Sequence, residues 1–192
     1  MPRRAVGRQL SAISLCTRFA GDPVGGCGPS SASHILSVDF RRSKSGDRIQ
    51  AESNGALTVD DLLHSSVGTK PDVNVIATRD AHKINVLVWN YRDDASPVAS
   101  AEVHLRIEGL SQDASKVKLE HWRVDHDHSN AYTAWQNMGS PKEPTPQQMA
   151  DLLQAGNLQT IGNPETVTIN NGAANVKINL PRQGVALLVL TW

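Results

Sequence analysis

Cysteine is nearly absent from this chain. Cys16 and Cys27 are the two in 192 residues, both near the amino end. A disulfide between them would close one local loop, and no metal-type cysteine spacing exists. Net charge is absent as well, with 19 Lys and Arg against 19 Asp and Glu. That balance removes the electrostatic footprint of a nucleic-acid or anionic-membrane partner. No apolar run is long enough to span a bilayer, and no segment repeats. Arg3 and Arg4 precede a weakly apolar stretch, but Ser11 and Ser14 interrupt it, the large Leu15 stands before Cys16, and Arg18 follows. The pattern of an export signal is not met, and the expected location is the cytoplasm.

The zero charge is a sum of two unlike parts. Residues 1–50 carry eight basic and three acidic side chains, a net +5, and residues 51–192 carry eleven and sixteen, a net −5. Residues 1–45 also show no sustained period of 2 or 3.6. They read as a disordered or mis-framed segment, and residues 46–192 as the globular unit.

From Gly46 onward, strand patterns dominate. KINVLVWNY (83–91) places Ile84, Val86 and Val88 on one face and Leu87, Trp89 and Tyr91 on the other, which predicts a central strand covered on both sides. EVHLRIE (102–108) alternates, with Val103, Leu105 and Ile107 inward and Glu102, His104, Arg106 and Glu108 outward. VNVIAT (73–78) and KVKLEHWRVD (116–125) fit the same style. TVTIN (166–170) and ANVKINL (174–180) flank Asn171-Gly172, a preferred tight-turn pair. GVALLVLTW (184–192) is apolar on both faces. Three stretches fit short helices. In 55–67, Thr58 supplies the cap and Leu62 and Leu63 face the core. A second covers 129–138, with Tyr132, Trp135 and Met138 on one stripe. The third is opened by the capping box of Thr145-Pro146-Gln147-Gln148, with Leu152 and Leu153 buried. The fold class is therefore mainly β: an antiparallel β-sandwich with two or three short helices, behind a poorly ordered amino-terminal segment.

Residues 121–141, HWRVDHDHSNAYTAWQNMGSP, gather three histidines, two tryptophans and a tyrosine beside an acidic turn. Asp125-His126-Asp127-His128 has the residue types of a metal site, but neighbours on an extended segment point to opposite sides, and a third and fourth ligand are missing. A polar turn leading into the helix accounts for the run. Trp89, Tyr91, Trp122, Tyr132 and Trp135 could form a sugar-stacking platform, yet their placement on apolar strands and a helix stripe favours packing. Ser129 and His128 have no nucleophile elbow around them.

VLVWNYRDD (86–94), residues 121–141 and LPRQGVALLVLTW (180–192) resemble the carboxy-terminal part of glycoside hydrolase family 39 β-xylosidases. The likeness runs from SGDRIQAESNGALTVDDLL (45–63) to Trp192. It implies a β-sandwich that accompanies a (β/α)8 barrel, the barrel holding the two glutamates of a retaining glycosidase. No Asn-Glu-Pro occurs in this sequence. Asn163-Pro164-Glu165 has the wrong order, so no catalytic residue carries over, and no cofactor or metal is expected. The resemblance implies that the chain is an accessory or structural sandwich, inactive alone, with the barrel as its partner. A stand-alone carbohydrate-binding module, taking xylo-oligosaccharide, is the alternative. Under either reading His128, Ser129, Asn130, Tyr132 and Trp135 are the candidate barrel-interface or sugar-contact residues. The sandwich of the family is completed by chain from before its barrel, which implies a missing strand here, a bare sheet edge and self-association. A shifted reading frame just upstream of Ser45 and a truncated gene with a new leader both account for the composition break.

Overall fold

The computed structural model describes residues 12–18 (backbone), 46–64, 71–93, 99–110 and 114–192. Its strands are β1 (Ala12–Arg18), β2 (Asp47–Ser53), β3 (Asp72–Asp80), β4 (Lys83–Tyr91), β5 (Ala101–Ile107), β6 (Lys116–Val124), β7 (Gln159–Thr160), β8 (Glu165–Asn170), β9 (Ala173–Leu180) and β10 (Gly184–Thr191). Three short helices, α1 (Val59–His64), α2 (Ala131–Asn137) and α3 (Pro146–Ala155), interrupt them.

The strands form two layers joined at both sides. One layer runs β3–β4–β10–β6, all antiparallel; the other runs β1–β5–β9. Two strands belong to both. β2 pairs with β3 through Asp47–Ile49 and then with β1 through 50–53. β8 pairs with β6 through 165–168 and then with β9 through Ile169 and Asn170. With β6 returning to β10, the ring of strands is closed. The β1–β2 pairing is the parallel one; the remaining pairings are antiparallel.

Alternation decides which side chains fill the space between the layers. Val73, Val75, Ala77, Ile84, Val86, Val88, Ala186, Leu188 and Leu190 come from one layer. Val103, Leu105, Ile107, Val176, Ile178 and Leu180 come from the other, and all are buried in one cluster. Each such side chain contributes roughly 1.5–3 kcal/mol by leaving water. At the β8–β9 turn Asn171 and Gly172 have φ of 51° and 72°, the two positive values that a type I′ hairpin requires.

Several expectations change in the fold. β4 is central, between β3 and β10, and its Ile84, Val86 and Val88 are buried. Its other face is not covered: Leu87 is 37% and Tyr91 44% exposed. α1 starts where expected, because Thr58 Oγ1 accepts from Asp61 N while Asp61 Oδ2 accepts from Thr58 N. Leu63, however, is 72% and Leu62 40% exposed, so neither reaches the core. Residues 65–67 of that expected helix lie outside the described residues. α3 has the expected capping box and proline, but Leu153 is 69% exposed and Leu152 only half-buried. A helical stripe says which side is apolar, not that something lies against it.

Within 1–45, β1 is the described element; the rest lies outside the described residues. It lies between β2 and β5. β5 is flanked by β9 on one side and by β1 on the other.

Candidate functional site

The region singled out in the sequence begins on β6. Its inward positions carry Val117 and Leu119, then His121, Arg123 and Asp125, so the core side of one strand turns from apolar to charged partway along. Arg123 reaches across to the other layer, where its Nη2 donates to the Asn179 carbonyl at 2.9 Å, and its Nη1 lies 3.7 Å from Asp125 Oδ2. Its Nε is buried without an acceptor. Burial pulls the Arg123 guanidinium below its usual value while Asp125 pushes it back up. Burial also lowers His121, helped by the neighbouring Arg123, to about 4, so His121 is a neutral imidazole at physiological pH.

Asp125 organises the turn that follows. Its side chain, 3% exposed, accepts at Oδ1 from the backbone N–H of Asp127 (2.9 Å) and His128 (2.8 Å), and Nδ1 of His128 lies 2.8 Å away. Burial raises its carboxyl, but these bonds outweigh it and hold it below the ordinary carboxylate range. The turn ends at Ser129, whose φ of 54° is left-handed. The expected helix from Ser129 therefore begins at Ala131, and the cap is Asn130: its Oδ1 accepts from Tyr132 N and Thr133 N. Asn130 Nδ2 donates back to the Asp125 carbonyl.

This geometry decides what the five candidate residues can do. Ser129 Oγ donates to the Arg123 carbonyl at 2.7 Å and accepts from Gln159 N at 2.9 Å. It is a clamp that ties β6 to β7, not a nucleophile held by His128, and its bonds leave no triad geometry. The Asp-His-Asp-His run splits in two: Asp125 and His128 meet in the turn, while His126 and Asp127 pair with each other at 76% and 77% exposure. Among the described residues no group of three or more His, Cys, Asp or Glu converges. Tyr132 and Trp135 stack on each other, ring centroids 5.6 Å apart at 28°, and Trp135 Nε1 donates to the Pro141 carbonyl. Each ring thus covers one face of the other, and Tyr132, 63% exposed, presents a single ring rather than a platform.

A small pocket of about 50 Å³ opens beside His121, between β6 and β9, lined also by Leu119, Ile161, Asn163, Glu165, Lys177 and Ile178. It has room for a few waters. Glu165 is the single carboxylate in that lining, whereas retaining glycoside hydrolysis takes two, about 5 Å apart across a sugar.

The outer surface of β3–β4–β10–β6 is the larger feature. Register places Ile76, Leu87, Leu187 and Trp122 in one row across the four strands, and Asn74, Trp89, Val185 and Val124 in the next. Trp89 is fixed there by its Nε1 donating to Asp72 Oδ2, whose partner oxygen accepts from Leu57 N. Toward the opposite strand ends the rows become Thr78, Asn85, Val189, Glu120 and then Asp80, Lys83, Thr191, Lys118. One half of this face is thus apolar and the other polar. The sequence signalled the apolar half through Leu87, Trp89 and Tyr91, but not that it would stay uncovered. The inward charges of β6 stand in the sequence as a break in the apolar alternation after Leu119.

The molecule so described is a mainly β, two-layer domain with three short helices and one part-exposed apolar half-face. It belongs to glycosyl hydrolases family 39, whose sequence model matches residues 44–170. The enzyme of this family from Xanthomonas axonopodis pv. citri is similar at 19% identity over 67% of this chain and 28% of its own, with a TM-score of 0.51. A monomeric β-xylosidase from Caulobacter crescentus CB15 is similar at 22% identity over 61% of this chain and 26% of its own, TM-score 0.49. A bacterial orthologue of human α-L-iduronidase is similar at 16% identity over 63% and 22%, TM-score 0.45. At 19% identity and a TM-score of 0.51, the likeness to the Xanthomonas enzyme speaks for the fold alone. The chain spans 28% or less of the length of these three structures.

Proposed function

We propose that this chain is the accessory β-sandwich of a β-xylosidase-like family 39 glycoside hydrolase, that it packs against the catalytic (β/α)8 barrel of such an enzyme, and that it hydrolyses nothing alone. One observation carries the reading: the apolar half-face built from Ile76, Leu87, Trp89, Trp122, Val124, Val185 and Leu187 in adjacent rows. A contiguous apolar patch bordered by polar rows is what a protein–protein contact presents before its partner arrives. Charged side chains are missing from its two rows, which argues against a water-facing role. Left without a barrel, the same half-face favours self-association of the chain.

The supporting test is an assay of the purified chain on 4-nitrophenyl β-D-xyloside and on xylo-oligosaccharides. Release at the blank rate is expected with both. Turnover above blank that survives repurification would overturn the reading. The binding-module alternative gains nothing from the stacked Tyr132 and Trp135. Saturable quenching of tryptophan fluorescence by xylo-oligosaccharide, lost in Trp135→Ala, would reinstate it.

A further inference from the structure

β1 closes the ring of strands, and it does so from a position in the chain that precedes the family match at residue 44. It is held on both sides. Ala12–Leu15 stand opposite 50–53 of β2 in parallel register, and Ile13–Arg18 stand opposite 102–107 of β5 in antiparallel register. Removing β1 leaves two strand edges facing each other across an empty slot. The β5 side of that slot belongs to the core, since Val103, Leu105 and Ile107 are at most 1% exposed. Open edges of this kind recruit any strand of matching length.

The connection is what makes β1 separable. Parallel neighbours cannot be joined by a tight turn, and here residues 19–46 lie between Arg18 and Asp47. A second copy carries the same strand in the same backbone register, and it competes for the slot increasingly as its concentration rises. We infer that β1 is an exchangeable donor strand: the slot between β2 and β5 accepts residues 12–18 from its own chain or from a second copy, two chains trading strands into a closed dimer. This inference concerns assembly and stands independently of the accessory role.

The sequence contains a reporter. Cys16 stands directly opposite His104 in the β1–β5 ladder, and Cys27 is the other cysteine. Opposed residues in an antiparallel pair lie roughly 4.5–5.5 Å apart at Cα, within reach of a disulfide. The full chain carrying His104→Cys and Cys27→Ser is refolded at about 10 µM and at about 1 mM, a span wide enough for mass action to favour a two-chain product at its upper end, and then mildly oxidised. At the lower concentration a monomer with an internal bond between positions 16 and 104 is expected. At the higher one a covalent dimer should appear on non-reducing electrophoresis, its fraction at least about tenfold greater, with peptide mapping placing the same bond between two chains. Leu15→Pro in the same background, which strips a ladder donor, should abolish both products. No bond at either concentration overturns the inference, as does an internal bond alone at about 1 mM. A dimer without that bond also overturns it, and assigns association to the apolar half-face instead.

Discussion

The two outer surfaces of this domain obey the same alternation and came out opposite in character. On the β5–β9 layer the outward side chains are Glu102, His104, Arg106, Glu108, Asn175, Lys177 and Asn179. Glu102 lies 2.7 Å from Lys177 and 2.6 Å from His104, and Arg106 lies 2.6 Å from Glu108. Hydrogen bonds from Lys177 and His104 hold Glu102 down at about 2, on a surface made for water. On the β3–β4–β10–β6 layer the corresponding positions are Ile76, Leu87, Leu187 and Trp122 in one row. A period of 2 assigns faces; what later covers a face is written in the kind of residue placed there. The charged layer faces solvent, and the other layer carries the apolar half-face on which the proposed contact rests.

The largest test of this contrast is on the inner faces, where the two layers should behave alike. Leu105→Ala on one and Leu188→Ala on the other each empty a fully buried site, and each should cost about 2–5 kcal/mol in urea unfolding. A loss under about 1 kcal/mol for either would mean that its layer is not packed on the other.

Next in size is the corner where the layers part. His121 is held at about 4, below the ordinary imidazole value of 6.5, chiefly by burial. The unfolded chain therefore takes up a proton before the folded one does, and stability should be present above pH 6.5 and lost as pH falls from there toward 4. Water reaches part of this ring, so the loss is set at about 1–2 kcal/mol. His121→Leu should flatten the stability profile across that window; an unchanged slope would assign it to other groups.

Smaller still is the helical arm. Asn130→Ala removes the acceptor for Tyr132 N and Thr133 N and should lower stability by about 1 kcal/mol, with Asn130→Ser restoring most of it. Smallest in stability, and sharpest in contrast, are the outer positions themselves. Leu187→Asp should leave the unfolding midpoint of the isolated chain nearly unchanged while reducing its association in sedimentation. Lys177→Ala on the charged layer should alter neither. Equal effects of the two on association would erase the distinction between the surfaces.

Much of this was legible in the residues. The inward and outward sets of β5 follow directly from its alternation, the Asn171-Gly172 pair from its turn chemistry, and the Thr58 and Thr145 caps from residue types three apart. The candidate site was legible in composition but not in role. Asn130, rather than Ser129, caps α2, because a left-handed Ser129 spends its hydroxyl on the Arg123 carbonyl and Gln159. Leu63 and Leu153 were expected in the core by their stripes and lie outside it, since no layer of the fold passes over them.

Local pattern, then, determined the strands, the core-facing side of each, the turns and the helix caps, because each depends on residues within a few positions of one another. Tertiary structure alone decided the rest: that β2 and β8 serve both layers, that residues 12–18 close the ring, that Arg123 bridges to Asn179, and that one apolar half-face stays part-exposed. Those features depend on which distant strands become neighbours, and a period read along the chain carries the direction of a side chain but not the identity of what stands opposite it.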